Sequence, residues 1–281
     1  MASENSSDRR HLCLSAPAVR AAALLAASLA LLSTPSVAFG AQCAAEDFAT
    51  RVSGESKCLI MRRYGPAEPK TMIVWLHGNV STGGPANSHF RVAEKAAADF
   101  AADRVLSVAL VRPGYPDGTG AHSSGSDNAR ADNWPRAVVA EIGTVIARLR
   151  QQFRPERVVL VGHSGGAAIA AVLLGMQPSL AEGALLLGCP CDMLAWRLGR
   201  GRTPWTSEDP LDWTGQVLPR ARVIALTGSE DGTTVPALAQ TWVGRLQARG
   251  IAAEFQLVPA AGHVDILGSP AVAAALSRLR D

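Results

Sequence analysis

The sequence has very little lysine and no strong excess of charge of either sign. Lysine occurs only three times in 281 residues, so arginine supplies most of the positive charge, and the formal net charge is only +3. The arginines are scattered along the chain and form no basic cluster. Because a nucleic-acid-binding surface concentrates positive charge on one face, the sequence predicts no nucleic-acid partner.

Motifs for metal and phosphate binding are also missing. The chain has no H-E-x-x-H motif, no cysteine and histidine set with zinc spacing, and no G-x-x-x-x-G-K-[ST] loop. We therefore expect a function that requires neither a metal nor another cofactor.

The apolar run near the N-terminus is too short to cross a membrane. It spans residues 21–32, whereas a membrane-spanning helix needs roughly 20 apolar residues. The run follows three arginines and precedes small residues around Pro35, an order typical of a secretory signal peptide. We expect residues 1–40 to be such a peptide, removed after Ala38 or Gly40, so that no membrane anchor remains.

The same segment predicts the location of the protein. Arg9 and Arg10 resemble the start of a twin-arginine signal, so we expect export to the periplasm or the cell exterior. An uncleaved membrane anchor is the alternative.

Cysteine usage fits an oxidising compartment. Removal of the signal peptide takes away Cys13 and leaves an even number of cysteines, which allows two disulfides. We favour a bond between Cys43 and Cys58. Cys189 and Cys191 would close a very small ring, so we expect them to stay reduced. A redox role for these two cysteines is the alternative.

From residue 72 onwards, short apolar runs alternate with longer amphipathic ones. This alternation predicts an α/β fold in one domain, residues 41–281, with a mostly parallel sheet and helices on both faces. The predicted strands cover residues 72–76, 105–111, 157–161, 184–187, 222–226 and 253–258. The predicted helices cover residues 89–102, 134–153, 236–249 and 271–279, with a further helix after Ser164.

One segment interrupts the alternation. Residues 189–219 carry Trp196, Trp205 and Trp213 in an irregular stretch. We predict a small cap insertion over the mouth of the sheet. The alternative is an ordinary connection whose indoles fill the edge of the core.

The most informative motif is Gly162-His163-Ser164-Gly165-Gly166. It lies between a β-branched run and a small-residue run, an order that predicts a strand, a sharp turn and a helix. This is a nucleophile elbow, in which the serine hydroxyl projects from the top of a parallel sheet. Ser164 is therefore the predicted nucleophile. The N–H of Gly165, at the helix N-terminus, is predicted to stabilise a developing oxyanion.

A serine hydroxyl becomes a strong nucleophile only beside a base that an acid orients. In proteins with such an elbow, the order along the chain is serine, acid, histidine. His263 is the only histidine after Ser164, so it is the predicted base. Asp231 follows the strand at 222–226 and is the predicted acid. Glu230 and Asp192 are the alternatives.

The second oxyanion donor is expected after the first central strand. His77-Gly78-Asn79 follows that strand, and we assign the donor to the N–H of Asn79, with Val80 as the alternative. His77 precedes Ser164 and is expected to stabilise the loop.

Together these segments resemble the α/β-hydrolase fold family, and especially its branch of dienelactone hydrolases and prolyl-oligopeptidase-like serine hydrolases. The resemblance covers about residues 57–280. It implies a serine hydrolase with Ser164, Asp231 and His263 in the triad. It also implies a strand-end loop beside the active site at residues 112–115, in which Tyr115 either contacts substrate or packs in the core. The chain lacks the large propeller of prolyl oligopeptidases, so the resemblance does not extend to their selectivity.

The sequence thus predicts a secreted serine hydrolase that cleaves a small ester through an acyl-enzyme. An alkoxide leaves more readily than an amine, which favours an ester substrate. A small peptidase or amidase acting on short peptides is the first alternative. A non-catalytic binding protein on the same fold is the second.

Overall fold

The computed structural model describes residues 43–80, 83–125, 134–202 and 207–280. The predicted signal peptide and Trp205 lie outside these ranges. Within them, eight strands form one sheet. The strands are β1 Arg51–Ser53, β2 Cys58–Tyr64, β3 Thr71–Leu76, β4 Val105–Leu110, β5 Arg157–His163, β6 Gly183–Leu187, β7 Arg222–Gly228 and β8 Ala252–Val258.

The sheet has the order β1-β2-β4-β3-β5-β6-β7-β8. The strands from β4 to β8 pair in parallel, whereas β2 pairs antiparallel with both β1 and β4. Every residue of β3, β4 and β6 is buried, as expected for strands covered on both faces. The carboxyl ends of the parallel strands therefore meet at one edge of the sheet.

Helices cover both faces, as the alternation predicts. Their bounds are α1 Phe90–Asp99, α2 Arg136–Phe153, α3 Gly165–Met176, α4 Met193–Gly199, α5 Pro236–Gln247 and α6 Pro270–Arg280, and short 3₁₀ helices cover Ala101–Asp103, Pro210–Gln216 and Asp265–Gly268. Side chains of α2, α3 and α5 share one apolar cluster, and those of α1 and α6 share the cluster on the opposite face. In the described ranges, no helix combines the length and the hydropathy that crossing a bilayer requires.

Both pairs of cysteines are joined. Cys43 and Cys58 form the predicted disulfide, which ties the segment before β1 to the start of β2. Cys189 and Cys191 are also bonded, so the expectation that they stay reduced was wrong. Their Cα atoms lie 5.1 Å apart, inside the usual range for a disulfide, although only Pro190 separates them in the chain.

The segment 189–219 packs against the body of the protein at both described tryptophans. Trp196 donates from Nε1 to the carbonyl oxygen of Thr233 at 2.7 Å. Trp213 packs against the core beside α3, where a Cβ at Gly175 would collide with its backbone. These contacts fit the alternative in which the indoles fill the edge of the core, and the cap stays a prediction.

Candidate active site

The turn between β5 and α3 has the geometry of an elbow, a name used from here on for residues 162–166. Ser164 has φ 53° and ψ −121°, a left-handed backbone conformation that costs free energy for a residue with a side chain. A Cβ at Gly162 would collide with the carbonyl oxygen of Gly166, and one at Gly166 would collide with that of Leu76. Glycine is therefore required on both sides of the serine.

Backbone hydrogen bonds hold the strained serine in place. The N–H of Ser164 donates to the carbonyl oxygen of Leu187 at 2.8 Å, and its carbonyl oxygen accepts from the N–H of Ala167 at 2.9 Å. Ser164 is half-buried at the carboxyl edge of the sheet. Gly165 begins α3, and the first amides of a helix have no partner inside the helix. The N–H of Gly165 is thus suited to receive an oxyanion.

The predicted acid and base meet at the same edge. Nδ1 of His263 donates to Oδ2 of Asp231 at 2.8 Å. The other carboxylate oxygen of Asp231 accepts the N–H groups of Thr233 and Thr234, both at 2.8 Å, and the Thr234 hydroxyl donates to Oδ2. The Asp231 side chain is fully buried, whereas that of His263 is 17% exposed.

These contacts determine the charge of Asp231. Burial by itself raises the pKa of its carboxyl group, but the hydrogen bonds from His263 and Thr234 outweigh that effect and hold the pKa below the ordinary 3.8. Asp231 is therefore ionised at neutral pH, and its hydrogen bond holds a proton of the His263 ring on Nδ1. This leaves Nε2 able to accept a proton.

The two alternative acids lie elsewhere. Glu230 is exposed to solvent. Asp192 caps α4 and accepts the N–H of Ala195 at 2.8 Å. Of the three carboxylates considered in the sequence analysis, only Asp231 is hydrogen-bonded to His263.

His263 lies beside the elbow. Nε2 of His163 donates to the carbonyl oxygen of His263 at 2.7 Å, and the two rings have centroids 4.9 Å apart. Within the described residues, no hydrogen bond joins the Ser164 hydroxyl to His263. Such bonds are often long before substrate binds and shorten in the reacting complex.

The loop after β3, residues 77–80, faces the elbow and is called the oxyanion loop below. A Cβ at Gly78 would lie 3.0 Å from Nδ1 of His163 and 3.1 Å from Cβ of Ser164. Oδ1 of Asn79 lies 2.5 Å from the position that a Cβ of Gly165 would take. The loop is therefore in contact with the predicted nucleophile. Assignment of the second donor to Asn79 stays a prediction, with Val80 as the alternative.

Arg112 fastens this loop, a role that the sequence analysis missed. Its Nη1 donates to Oδ1 of Asn79 at 2.9 Å and to the carbonyl oxygen of His77 at 3.1 Å. Its backbone N–H donates to Nε2 of His77 at 3.0 Å, while Nδ1 of His77 donates to the carbonyl oxygen of Gly78. Burial, followed by the positive charge of Arg112, lowers the pKa of His77 well below 6.5, so the ring stays neutral.

Tyr115 is completely buried, which favours the packing role. Its ring meets that of His77 edge-on, with centroids 4.7 Å apart, and the guanidinium of Arg112 lies 5.3 Å from its centroid. Tyr115 thus supports the oxyanion loop from below.

The roles of Arg112 and His163 escaped the sequence analysis for different reasons. Sequence alone gives no sign that a charged residue such as Arg112 is buried. His163 stands inside the elbow motif itself, but its partner is a backbone atom 100 positions away. Its position next to the nucleophile was the one available signal.

Two sizeable cavities lie away from these residues. One, of about 840 Å³, lies between α1 and α6, and the other, of about 680 Å³, lies around Lys70 and Arg104, before the amino ends of β3 and β4. Neither is lined by Ser164, Asp231 or His263.

Comparison with known proteins agrees with the fold described above. The sequence profile of the alpha/beta hydrolase family matches residues 73–226, more than half of the chain. The chain belongs to this family. A search of curated proteins finds no significant match for this alpha/beta hydrolase.

Solved structures share the fold of this alpha/beta hydrolase at low sequence identity. The esterase Pf2001 from Pyrococcus furiosus is 14% identical, with a TM-score of 0.62, over 83% of this chain and 92% of that one. Est1E from Butyrivibrio proteoclasticus, solved with ferulic acid, is 12% identical, with a TM-score of 0.62, over 82% and 99%. An acylaminoacyl peptidase from Pyrococcus horikoshii is 13% identical, with a TM-score of 0.60, over 82% of this chain but only 41% of that one.

Proposed function

We propose that this alpha/beta hydrolase is a secreted serine hydrolase that cleaves carboxylic esters. The observation that carries the proposal is the 2.8 Å hydrogen bond between His263 and a buried, ionised Asp231, at the sheet edge where Ser164 has a strained backbone. The three residue types, their order along the chain and the glycines of the elbow all support a triad.

In the proposed mechanism, the hydroxyl of Ser164 attacks the ester carbonyl while Nε2 of His263 takes its proton. Asp231 stabilises the imidazolium that forms and holds the ring in one tautomer. The tetrahedral oxyanion is received by the N–H groups of Gly165 and Asn79, and each such donor contributes on the order of 3 kcal/mol to transition-state stabilisation.

Collapse of the tetrahedral intermediate breaks the bond to the alcohol, which leaves with the proton held by His263. Water then attacks the acyl carbonyl while His263 takes its proton, and collapse of the second tetrahedral intermediate breaks the bond to Ser164, which regains that proton as the carboxylic acid leaves. The residues required for each proton transfer belong to this chain. The disulfides at Cys43–Cys58 and Cys189–Cys191 support export to an oxidising compartment.

The first test is labelling with a fluorophosphonate probe, which forms a covalent bond with an activated serine. We expect the full-length protein to be labelled and Ser164→Ala to remain unlabelled. Ser179→Ala, a matched change at an exposed serine, is expected to leave labelling intact. A folded wild-type protein that resists the probe would instead favour a non-catalytic binding protein.

The second test separates substrate classes. Nitrophenyl esters of increasing acyl length are compared with peptide anilides, using the same purified protein. We expect turnover of the esters that depends on Ser164. Faster turnover of the anilides would favour a peptidase or amidase, the other reaction compatible with the same triad.

A further inference from the structure

The predicted acid and base are held as one unit. We call residues 229–234 the acid loop and residues 259–264 the histidine loop. Besides the bond from His263 to Asp231, two further bonds join these loops. The Ser229 hydroxyl accepts the N–H of Ala260 at 2.9 Å, and the N–H of Glu230 donates to the carbonyl oxygen of Ala261 at 3.0 Å. These bonds fix the two loops to each other at the ends of β7 and β8.

The predicted nucleophile is anchored separately. Ser164 follows β5, and β6 lies between β5 and β7 in the sheet. The sheet joins the two, because the N–H of Ser164 donates to the carbonyl oxygen of Leu187 and the N–H of Gly188 donates to that of Leu226, but neither bond reaches the histidine loop beyond β8. Among hydrogen bonds between described residues, only that from Nε2 of His163 to the carbonyl oxygen of His263 joins the elbow to the histidine loop.

We propose that His163 is a positioning residue that sets the distance between the nucleophile and the base by linking the elbow to the backbone of His263. This inference rests on the proposed function, because it assigns His163 a part in the same reaction. His163 precedes Ser164 in the chain, so its hydrogen bond joins the elbow directly to the histidine loop, although β6 lies between β5 and β7 in the sheet.

The donor in this bond is fixed by chemistry. A backbone carbonyl oxygen only accepts, so Nε2 of His163 carries the hydrogen. Burial, and then the neighbouring His263, lower the pKa of His163 from 6.5 to about 4, so its ring is neutral near pH 7. A neutral donor holds the histidine loop without placing a second positive charge beside the ring that must accept a proton.

His163 also restrains the orientation of the base. Its ring lies against the ring of His263 at an interplanar angle of 42°. Asp231 fixes one edge of the His263 ring through Nδ1, while His163 contacts the ring and holds its backbone. Because a misplacement of about 1 Å can cost roughly 100-fold in rate, loss of the link is expected to slow the reaction without weakening substrate binding.

Three substitutions test the inference. His163→Leu fills a similar volume but has no donor. His163→Gln can place an amide N–H near the original position of Nε2, whereas His163→Asn is too short to do so. For each variant, kcat and KM are measured on a nitrophenyl ester together with the rate of fluorophosphonate labelling and the thermal unfolding midpoint.

We expect kcat and the labelling rate of His163→Leu to fall by about 10- to 100-fold with KM nearly unchanged, and His163→Gln to recover most of both. Trp242→Phe is the control, since it removes another buried ring N–H bond to a carbonyl oxygen, that of Pro210, without touching His263 or the oxyanion loop. A similar loss of kcat in this control would overturn the inference.

Two further outcomes would also overturn it: a wild-type rate in His163→Leu, or an equal loss in the leucine and glutamine variants. If the leucine variant does not fold, the glutamine and asparagine variants decide, because only glutamine should keep the rate. Ester hydrolysis that survives Ser164→Ala would overturn the proposed function and this inference together. Loss in Ser164→Ala with no loss at His163 overturns the inference alone.

Discussion

Arg112 and Asn79 are joined by a 2.9 Å hydrogen bond at the point where the oxyanion loop meets the elbow. The buried guanidinium thus controls the side chain that lies next to Gly165, although Arg112 comes from the end of a different strand.

Replacing Arg112 by methionine is expected to lower both activity and stability. The backbone carbonyl of His77 and Oδ1 of Asn79 would lose their donor, which costs about 1–3 kcal/mol of unfolding free energy for a buried group, and a looser loop should lower kcat. Urea unfolding and ester hydrolysis measure the two effects. Arg278→Met is the control, because its ion pair with Glu254 is exposed and should contribute less than about 1 kcal/mol. Equal losses in both variants would contradict this prediction.

Asp231→Asn should lower kcat/KM by about 1,000- to 10,000-fold, because an amide cannot stabilise the imidazolium and favours the wrong tautomer of His263. Asp192→Asn should have little effect on turnover, since Asp192 caps α4 and has no bond to His263. Steady-state kinetics on one ester compares the two variants directly. The reverse order of effects would assign the acid to position 192.

Buried neutral histidines predict a loss of stability in mild acid. Burial is the main cause that lowers the pKa of His89 from 6.5 to about 3 and that of His163 to about 4. Between those values and 6.5 the unfolded chain binds protons that the folded protein excludes, so unfolding becomes easier as pH falls. Each of these two histidines should lower the free energy of unfolding by about 2 kcal/mol as the pH falls from 7 to 5.

Urea unfolding at pH 7 and pH 5 checks the sign and the size of this effect. His89→Gln should reduce the difference in unfolding free energy between pH 7 and pH 5 by about 2 kcal/mol, because glutamine does not titrate. Stability that is constant, or that rises, on acidification would contradict neutral buried rings.

The Cys43–Cys58 disulfide should stabilise the fold without contributing to the reaction. Replacing both cysteines by serine opens a loop with a sequence separation of 15, which is expected to cost about 3 kcal/mol of unfolding free energy. Ester hydrolysis well below the unfolding transition should be unchanged. Thiol titration of the unreduced, denatured variant with Cys13 also replaced by serine gives a further check, because any free thiol would then show that Cys189 and Cys191 are not bonded.

The sequence predicted those strands and helices whose apolar pattern results from burial. Continuous apolar runs predicted the fully buried strands β3 and β4. The elbow was predicted from its glycines, which the close backbone contacts of the turn require. The antiparallel pair β1 and β2 was missed, because β2 lies near the sheet edge, where Arg62 and Arg63 interrupt the apolar pattern.

Contacts that depend on the course of the folded backbone could not be predicted in the same way. The bond from His163 to His263 depends on how far the histidine loop reaches across β6, which no local pattern records. The Cys189–Cys191 bond likewise depends on how the backbone folds in this loop, and its small ring had argued against it. These features arise from tertiary geometry rather than from propensity.

Gly188 lies next to the predicted acid and base in space, although it is far from both in the sequence. A single methyl group at this position would lie 3.0 Å from Oδ2 of Asp231 and 3.1 Å from Nδ1 of His263, close enough to push the pair apart. A substitution at position 188 could therefore abolish the proposed activity while Ser164, Asp231 and His263 stayed in place. A descendant that had become a passive binder would look like an intact hydrolase in any comparison confined to Ser164, Asp231 and His263.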